Sequence, residues 1–540
     1  MNRNGGLPLH AGNGRTSGYP SVLGNLTRLK PKRLALLVGM AFLALLTLNR
    51  LFSSSESNRV QVERAEQAAK SEAEREATVQ KFLQTRKSAF SFSDFTEEGL
   101  VLPENEHLLP ATAILLGWKR LDGLRLIVNY LARYPYIKQI IVWNNNLEVR
   151  LTNDDFQFDS QYGTPPELLI NNSGENLHDL AKYMSCSLAK YEHCYFQDDD
   201  WLNTHMDSLY SNFLNSPSLI HTSTLPMINI EHRRWSFTNE DIKMHSGFSW
   251  MGTGSFLPRN KAQRLLEQAA SGNLAKDRTR VVDMYFSIWT NQYPYQLING
   301  LTPLDQKNGW STEGVSDHWA IVFRNMLDAA SRLHDALKAN SEISEKDYFP
   351  RDEEVPLVKD RHARSPCHND KCLFKTSIDP FPDPKEVVFN NDLQNIDEQN
   401  SKFYALDFPS NEFWNKFSFI HAVDHDPITC WNSYKNPQAG DSFGLQMVTA
   451  TPLRRLTVIS SQSLSYLDGS FSVMVSDHRG EQWVTCKHTA RFPSHSMQLD
   501  ISCPTSTTLP KGIHNVKIQF NTNLDKPIEV CGMDVDGMQV

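Results

Sequence analysis

Residues 111–146 constrain the fold of this chain more than any other segment. Two short apolar runs, residues 111–116 and 137–143, flank a stretch whose apolar residues recur at helical spacing. A strand, a helix and a strand within about 35 residues form a βαβ unit, which implies a parallel sheet with a right-handed crossover. Ligands of such sheets bind beyond the carboxyl ends of the strands. Neither a GxGxxG sequence nor a P-loop follows the first strand, so those two phosphate-binding patterns are absent.

Three consecutive carboxylates follow the next predicted buried strand. The apolar Cys194-Tyr-Phe196 leads through one glutamine into Asp198, Asp199 and Asp200. Adjacent carboxylates repel one another unless a cation or a hydrogen-bond network offsets the repulsion. We therefore predict that Asp198 and Asp200 share one Mn²⁺ or Mg²⁺, or that one binds the metal while another contacts ribose hydroxyls. A bare DxD is more often an acidic turn, and the preceding strand is what favours the metal.

A divalent metal here would suit a nucleotide diphosphate, because it bridges carboxylate and pyrophosphate oxygens and stabilises charge on a leaving group. The chain has 540 residues and a net charge of −8, so it lacks the basic surplus of a dedicated nucleic-acid binder. A glycoside hydrolase is disfavoured, since contiguous acids cannot lie on opposite faces of a sugar, about 5–9 Å apart.

The motifs ATAILLGWKRLDGLRLIVNYLARYPYIKQIIVWNNN, YFQDDDW, GTGSF and VVDMYFSIWTN resemble, in order and spacing, the lumenal exostosin-like glycosyltransferases. The resemblance implies a GT-A fold, a retaining transfer, and a UDP-sugar donor whose diphosphate and Mn²⁺ are bound by residues 198–200. The resemblance also implies that Asp198 and Asp199 contact the donor. It further implies that Asn144 and Asn145 lie near the uracil and ribose. It also implies that Asp283 is the active-site carboxylate facing acceptor and donor.

Asp283 stands in an otherwise apolar predicted helix, where an unpaired acid is costly to bury. The active-site role competes with a simple ion pair to Arg278 or Arg280. Between the acidic triplet and Asp283 lie Gly252 and Gly254, which would let the backbone approach a sugar closely in the acceptor region.

Three further features are candidate contacts or modification sites. His318 is a candidate late metal or phosphate contact, as similar folds supply, and equally a residue at a helix N-terminus. Cys367 and Cys372, with histidines nearby, favour a small disulfide loop over zinc in an oxidising lumen. Asn171 is the only N-x-S/T acceptor predicted to be lumenal.

The last 140 residues carry short alternating runs split by turn residues, typical of an antiparallel β-sandwich. The segments AVDHDPITCW and GDSFG resemble the discoidin or coagulation-factor C-type jelly roll. The resemblance implies a carbohydrate- or surface-binding module, although similar sandwiches also serve as inert caps. The sequence leaves open the pairing of two predicted disulfides, among Cys430, Cys486, Cys503 and Cys531.

An uncharged apolar run, residues 34–48, follows a segment of 33 residues with six basic and no acidic side chains. Extended to residue 52, this run reaches the lower limit for a membrane-spanning helix. The positive-inside rule places the N-terminus in the cytosol and the rest in the lumen. We therefore predict a type II anchor in the Golgi or endoplasmic reticulum membrane, rather than a cleaved signal peptide or a buried core helix.

The predicted fold class is α/β, with a GT-A (Rossmann-like) domain followed by an all-β jelly-roll sandwich and preceded by one transmembrane helix. The predicted regions are a cytosolic tail (1–33), an anchor (34–52), a stem (53–106), a GT-A domain (107–340), a linker or irregular extension (341–400) and a β-sandwich (401–540).

Two functions of different classes fit this organisation. The first is a type II membrane glycosyltransferase of the secretory pathway, Mn²⁺- or Mg²⁺-dependent, transferring a sugar from a UDP-sugar to a glycan or glycoprotein. The second is a catalytically inactive, membrane-tethered glycan-binding or assembly protein that acts through the sandwich. The intact acidic triplet favours the first, because a site without catalysis has no evident need for three repelling carboxylates.

Overall fold

A computed structural model describes residue 73 and residues 76–95, 108–158, 163–305, 318–339, 362–383, 386–391, 395–476, 482–503, 512–536 and 538–539. The chain divides into two compact units, residues 1–84 and 85–540. In the first unit the described residues are helical from residue 76 onward, and this helix is α1. The predicted tail and anchor lie outside the described residues. None of the described helices is long and apolar enough to span a bilayer.

The second unit begins with a mainly parallel sheet, and the structure is mixed α/β as predicted. The strand order is β3-β2-β1-β4-β9-β6-β10, in which only β9 runs antiparallel to its neighbours. Two short antiparallel pairs, β5 with β11 and β7 with β8, lie beside it. The strands are β1 (Ala111–Gly117), β2 (Ile137–Asn144), β3 (Glu167–Asn172), β4 (His193–Gln197), β5 (Trp201–Leu202), β6 (His221–Thr224), β7 (Ser236–Asn239), β8 (Met244–Gly247), β9 (Ser255–Pro258), β10 (Tyr295–Ile298) and β11 (Thr302–Pro303).

Helices connect these strands. The predicted βαβ unit is confirmed, because the helix that follows β1 leads into β2, which pairs parallel with β1. The apolar stripe of that helix, including Leu124, Ile127 and Leu131, is buried, as amphipathic spacing predicts. The helices are α2 (Leu121–Leu131), α3 (Leu180–Ser187), α4 (Met206–Leu214), α5 (Pro226–Arg234), α6 (Arg259–Ser271), α7 (Lys276–Thr279), α8 (Asp283–Trp289) and α9 (His318–Lys338).

The C-terminal region is an antiparallel sandwich, in which β18 pairs with a strand of each sheet. One sheet has the order β12-β13-β15-β20-β17-β18 and the other β18-β19-β16-β22-β23, while β14 pairs with β21. The elements are β12 (Ala363–Pro366), β13 (Cys372–Thr376), α10 (Ile396–Tyr404), α11 (Asn411–Phe417), β14 (Trp431–Asn432), β15 (Ser442–Thr451), β16 (Arg455–Ile459), β17 (Phe471–Ser476), β18 (Val484–Arg491), β19 (Ser496–Ser502), β20 (Ile513–Phe520), β21 (Glu529–Val530), β22 (Gly532–Val535) and β23 (Met538–Gln539).

The two regions share one continuous sheet. Leu297 of β10 pairs parallel with Arg364 of β12, and β12 continues through β13 into β15. Both β12 and β13 fall within residues 341–400, which the sequence predicts as a linker or irregular extension. The described part of that segment therefore contains two strands where the sequence predicts irregular structure. These strands form because they pair with strands that are distant in sequence, a contact that the local proline-rich composition does not predict.

All eight cysteines form disulfides. The loop closed by Cys367 and Cys372 confirms the disulfide interpretation over zinc. The sequence left open how the four cysteines of the sandwich pair. The folded strands decide this, because they bring Cys430 next to Cys531 and Cys486 next to Cys503. The disulfides are Cys186–Cys194, Cys367–Cys372, Cys430–Cys531 and Cys486–Cys503.

Candidate active site

The acidic triplet lies at the carboxyl end of β4, which runs between β1 and β9. Neighbouring loops fix its backbone on two sides. The Asp198 N–H donates to the Gly252 carbonyl at 2.7 Å, and the Asp200 carbonyl accepts from Leu304 N–H at 2.7 Å. The triplet therefore occupies the edge of the sheet where ligands of α/β folds bind, and two other loops meet it there.

Arg120, in the loop between β1 and α2, pairs with two members of the triplet. Its guanidinium lies 2.6 Å from Asp199 Oδ1 and 2.8 Å from Asp200 Oδ2. Burial raises the pKa of Asp199 to about 7, and Arg120 opposes this rise. Burial and the neighbouring Asp198 carboxylate raise the pKa of Asp200. The arrangement concentrates negative charge that one guanidinium only partly offsets.

Lys182 of α3 binds the remaining member of the triplet and two further acids. Its ammonium lies 3.1 Å from Asp198 Oδ1, 3.3 Å from Asp283 Oδ2 and 3.2 Å from Asp179 Oδ1. Burial alone would lower the pKa of Lys182, but the three carboxylates raise it well above its ordinary value. A buried, charged lysine thus joins the triplet to Asp283.

Asp283 is the first residue of α8, and its side chain is only 2% exposed. The Tyr183 hydroxyl donates to Asp283 Oδ1 at 2.8 Å, and Lys182 contacts the other oxygen. Its ion-pair partner is therefore Lys182, not Arg278 or Arg280, the partners of the alternative interpretation. Lys182 therefore lies between Asp283 and Asp198. The predicted contact of Asp283 with acceptor and donor stays a prediction.

Asn144 and Asn145 lie at the carboxyl end of β2 and are buried. The Asn144 amide donates to Val149 O and to Asn172 Oδ1. Asn145 accepts from Leu177 N–H at 3.1 Å through its side-chain oxygen. Both side chains hold neighbouring loops together, two strands away from the triplet, and their predicted contact with a nucleoside stays a prediction.

Gly252 and Gly254 hold their loop tightly against β4. A methyl group on Gly252 would lie 1.9 Å from Asp198 Oδ2. Gly254 has a φ of +109°, and a methyl group there would lie 2.8 Å from the Tyr195 hydroxyl. Only glycine allows these approaches. The loop that carries the predicted acceptor region thus touches the triplet directly.

The contacts described above do not include His318 or Asn171, the two remaining predicted site residues. His318 is the first residue of α9, but its side chain lies outside the described part of the chain. Asn171 lies in β3, which is the outermost strand of the sheet among the described residues, and it is partly exposed. Its glycosylation stays a prediction.

The chemistry of the triplet fits a hard divalent cation. The side chains of Asp198 and Asp200 are 35% and 20% exposed, whereas that of Asp199 is 5% exposed. Mn²⁺ or Mg²⁺ takes oxygen ligands, so Asp198 and Asp200 are the two residues that would hold it. Elsewhere in the described residues, Cys430, Glu529 and Cys531 have ligand-like spacing, but the two cysteines form a disulfide.

Sequence reasoning missed the roles of Arg120 and Lys182. Each carries a signal in retrospect. Arg120 follows a buried parallel strand, where ligand-binding side chains concentrate. Lys182 stands between Ala181 and Tyr183 in a helix whose neighbouring side chains are buried, and a buried lysine requires acidic partners.

No family model matches the chain, and no curated protein matches it. Among solved structures the chain is similar to a mannosyltransferase, PcManGT from Pyrobaculum calidifontis in complex with GDP-Man and Mn²⁺, at 12% identity over 49% of this chain and 81% of that one, with a TM-score of 0.29. It is similar to S. aureus TarS at 10% identity over 78% of each chain, with a TM-score of 0.19.

A third similar structure is CpGH89CBM32-5 from Clostridium perfringens, in complex with GalNAc-β-1,3-galactose. It has 12% identity to this chain over 22% of this chain and 84% of that one, with a TM-score of 0.17. All three TM-scores are below the range that establishes a shared fold, so the fold rests on the topology described above.

Proposed function

We propose that this protein is a metal-dependent glycosyltransferase that moves a sugar from a nucleotide-sugar donor, in our hypothesis a UDP-sugar, to a glycan or glycoprotein acceptor. The observation that carries the proposal is the acidic triplet at the carboxyl end of β4, with two partly exposed carboxylates beside two buried cations. This combination suits a ligand that brings a divalent metal and a diphosphate together.

The chain's own residues divide the work in this proposal. Asp198 and Asp200 would hold Mn²⁺ or Mg²⁺, which when bound supplies positive charge for the developing charge of a diphosphate leaving group. Arg120 positions Asp200 through their ion pair. Asp283 acts as a positioning residue, because it holds Lys182 and Lys182 in turn holds Asp198.

We also propose that the protein works in the lumen of the Golgi or endoplasmic reticulum, tethered as a single-pass type II membrane protein. Four disulfides support an oxidising compartment. The predicted anchor, residues 34–52, precedes the described region.

The test uses residues 53–540 secreted as a soluble protein. It is incubated with a panel of UDP-sugars and GDP-mannose, with and without Mn²⁺, and nucleotide release is measured. We expect metal-dependent release from one donor, and a loss of at least about 100-fold in Asp200→Asn, because that substitution removes a metal ligand's charge. The matched control is Asp468→Asn, which changes an exposed acid in the sandwich.

Release that continues unchanged in Asp200→Asn would contradict the proposed site. The transferase proposal fails if no donor is turned over and calorimetry shows no metal-dependent nucleotide binding.

The inactive, glycan-binding alternative has one specific observation in its favour. Every carboxylate of the triplet has a cationic partner within the chain, Arg120 or Lys182. The triplet is therefore neutralised in part without a metal, and its presence alone does not require catalysis. Under this alternative, glycans bind to the secreted protein while donors are never consumed.

A further inference from the structure

An aromatic cluster lies on the loop before β9 and the first turns of α9. The ring centroids of Trp250 and Trp319 are 6.4 Å apart, and the Trp319 ring lies 5.8 Å from Phe323 in a near-parallel arrangement. Trp319 is 50% exposed, and the other two are half-buried. We call Trp250, Trp319 and Phe323 the aromatic platform. A half-exposed tryptophan that packs against other aromatic rings is a common feature of binding surfaces.

The backbone of Trp250, one member of the aromatic platform, lies close to the acidic triplet. The Trp250 carbonyl accepts from the Thr222 hydroxyl at 2.9 Å. Two residues further on, the Gly252 carbonyl accepts from Asp198 N–H at 2.7 Å. Two residues of extended chain span at most about 7 Å, so the backbone of Trp250 lies within about that distance of the residue that binds Asp198. The loop is anchored at both points, so it presents the Trp250 ring from a defined position.

The other end of the platform is fixed by helix packing. Asn325 of α9 donates to the Val281 carbonyl at 3.1 Å, just before α8. The Trp289 indole of α8 donates to the Ala329 carbonyl of α9 at 3.2 Å. Because α9 is held in this way against the helix that begins with Asp283, Trp319 is presented by a rigid element rather than by a free loop.

Topology separates the aromatic platform from the predicted nucleoside side. Asn144 ends β2, and β1 lies between β2 and β4. Trp250 lies in the loop that leads into β9, on the opposite side of β4. In the proposed transferase the diphosphate lies at the triplet, at the end of β4. A nucleoside at Asn144 and the loop that carries Trp250 would therefore flank the diphosphate from opposite sides.

We propose that the aromatic platform binds a pyranose ring of the acceptor, with a C–H face of the sugar against the Trp319 and Trp250 rings. This inference rests on the proposed transferase function and adds the acceptor class, a pyranoside. Aromatic faces carry negative charge density that attracts the weakly positive C–H groups of a sugar face.

The test measures sugar binding without any donor. Secreted residues 53–540 are titrated with methyl glycosides of glucose, galactose, mannose, xylose, N-acetylglucosamine and N-acetylgalactosamine, and binding is followed by saturation-transfer NMR. We expect about tenfold weaker binding of at least one glycoside in Trp319→Ala, with partial recovery in Trp319→Phe, because a smaller ring still stacks. Tyr404→Ala, which removes an exposed aromatic ring of α10, is the control and should bind like wild type.

Transfer kinetics separate this inference from the proposed function. Once a donor and an acceptor glycoside are known, Trp319→Ala should raise the acceptor KM about tenfold and the donor KM much less. An acceptor KM within twofold of wild type would overturn the inference, as would glycoside binding that no platform substitution weakens or that is absent across the panel. Platform-dependent binding without any nucleotide release would support a sugar site here while the transferase proposal fails.

Discussion

At the scale of single residues, the site is organised by two buried cations that serve five acids. Arg120 meets Asp199 and Asp200, and Lys182 meets Asp198 together with Asp179 and Asp283; the corresponding contacts are all 3.3 Å or shorter. Buried ions contribute little net stability as a set, but removing one partner leaves uncompensated charge. Lys182, with three carboxylates around it, is therefore the cation whose removal leaves the most uncompensated charge.

We predict that Lys182→Met lowers the free energy of unfolding by about 3–5 kcal/mol, because it leaves buried carboxylates without their cation. Urea unfolding followed by circular dichroism measures the change. Lys190→Met is the matched control, since Lys190 is exposed and its ion pair with Glu167 lies at the surface. Equal effects of the two substitutions would show that Lys182 is not the buried counter-ion described here.

Gly252 provides a second prediction at this scale. In Gly252→Ala the new methyl group would overlap the Asp198 carboxylate, so either the loop or the carboxylate must move. We expect Mn²⁺ affinity, measured by calorimetry, to fall by at least about tenfold, since ligand positions control metal binding. Gly174→Ala is the control, because among the described residues, its chain neighbours aside, no atom lies within 4 Å of its added methyl group. Unchanged Mn²⁺ affinity in Gly252→Ala would contradict the metal site.

At the scale of elements, the disulfide loop between β12 and β13 caps a helix far away in sequence. Asp370, inside the loop closed by Cys367 and Cys372, accepts from the N–H groups of Asp207 and Ser208 at 3.1 and 2.9 Å. These two N–H groups lie in the first turn of α4, and no local side chain caps that helix. The loop thus satisfies donors that every helix start leaves open.

Two buried carboxylates at this contact make stability depend on pH. Burial and the Asp370 carboxylate raise the pKa of Asp207 to about 8, and burial raises the pKa of Asp370 to about 6. An unfolded aspartate has a pKa near 3.9, so the folded state binds protons more tightly. The contribution to stability is complete below about pH 4 and is lost as the pH rises through about 6 and 8.

We therefore predict that Asp207→Asn flattens the fall in unfolding free energy between pH 5 and pH 8, whatever its effect at one pH. Urea titrations across that range measure the slope. Asp468→Asn should keep the wild-type slope, because Asp468 is exposed. Parallel slopes in wild type and Asp207→Asn would rule out this pair as the cause.

At the scale of the second unit, the α/β region and the sandwich share a sheet and a core. The Trp414 indole of α11 donates to the Pro226 carbonyl of α5 at 2.6 Å. Trp414 and Trp431 belong to a buried cluster that also includes Ile230 of α5 and Ile298 of β10. A continuous core of this kind couples the unfolding of the parts that share it.

We predict that residues 85–540 unfold in one calorimetric transition, and that Trp414→Ala lowers the midpoint of that whole transition. The truncation removes a fully buried indole and should cost about 3–5 kcal/mol. Two resolved transitions, of which only the later moves in Trp414→Ala, would show that the sandwich unfolds independently. Trp319→Ala, at an exposed ring, is the control and should leave the midpoint nearly unchanged.

Local patterns in the sequence determined the elements that depend on neighbouring residues. The helical spacing of residues 121–131 predicted α2, and the apolar stretch before Asp198 predicted β4 with its acids at the carboxyl end. Alternating runs predicted the antiparallel strands of the last region. These inferences succeed because side-chain periodicity follows directly from the geometry of helices and strands.

Tertiary structure alone decided the contacts that join distant residues. Arg120 and Asp200 are 80 residues apart, and Lys182 and Asp283 are 101 apart. β12 forms a strand because it pairs with β10. Cys430 pairs with Cys531 because the folded chain brings their strands together. The sequence by itself thus determined where acids, strands and helices lie. Which cation neutralises which acid was decided by packing, because burial and proximity exist only after the chain has folded.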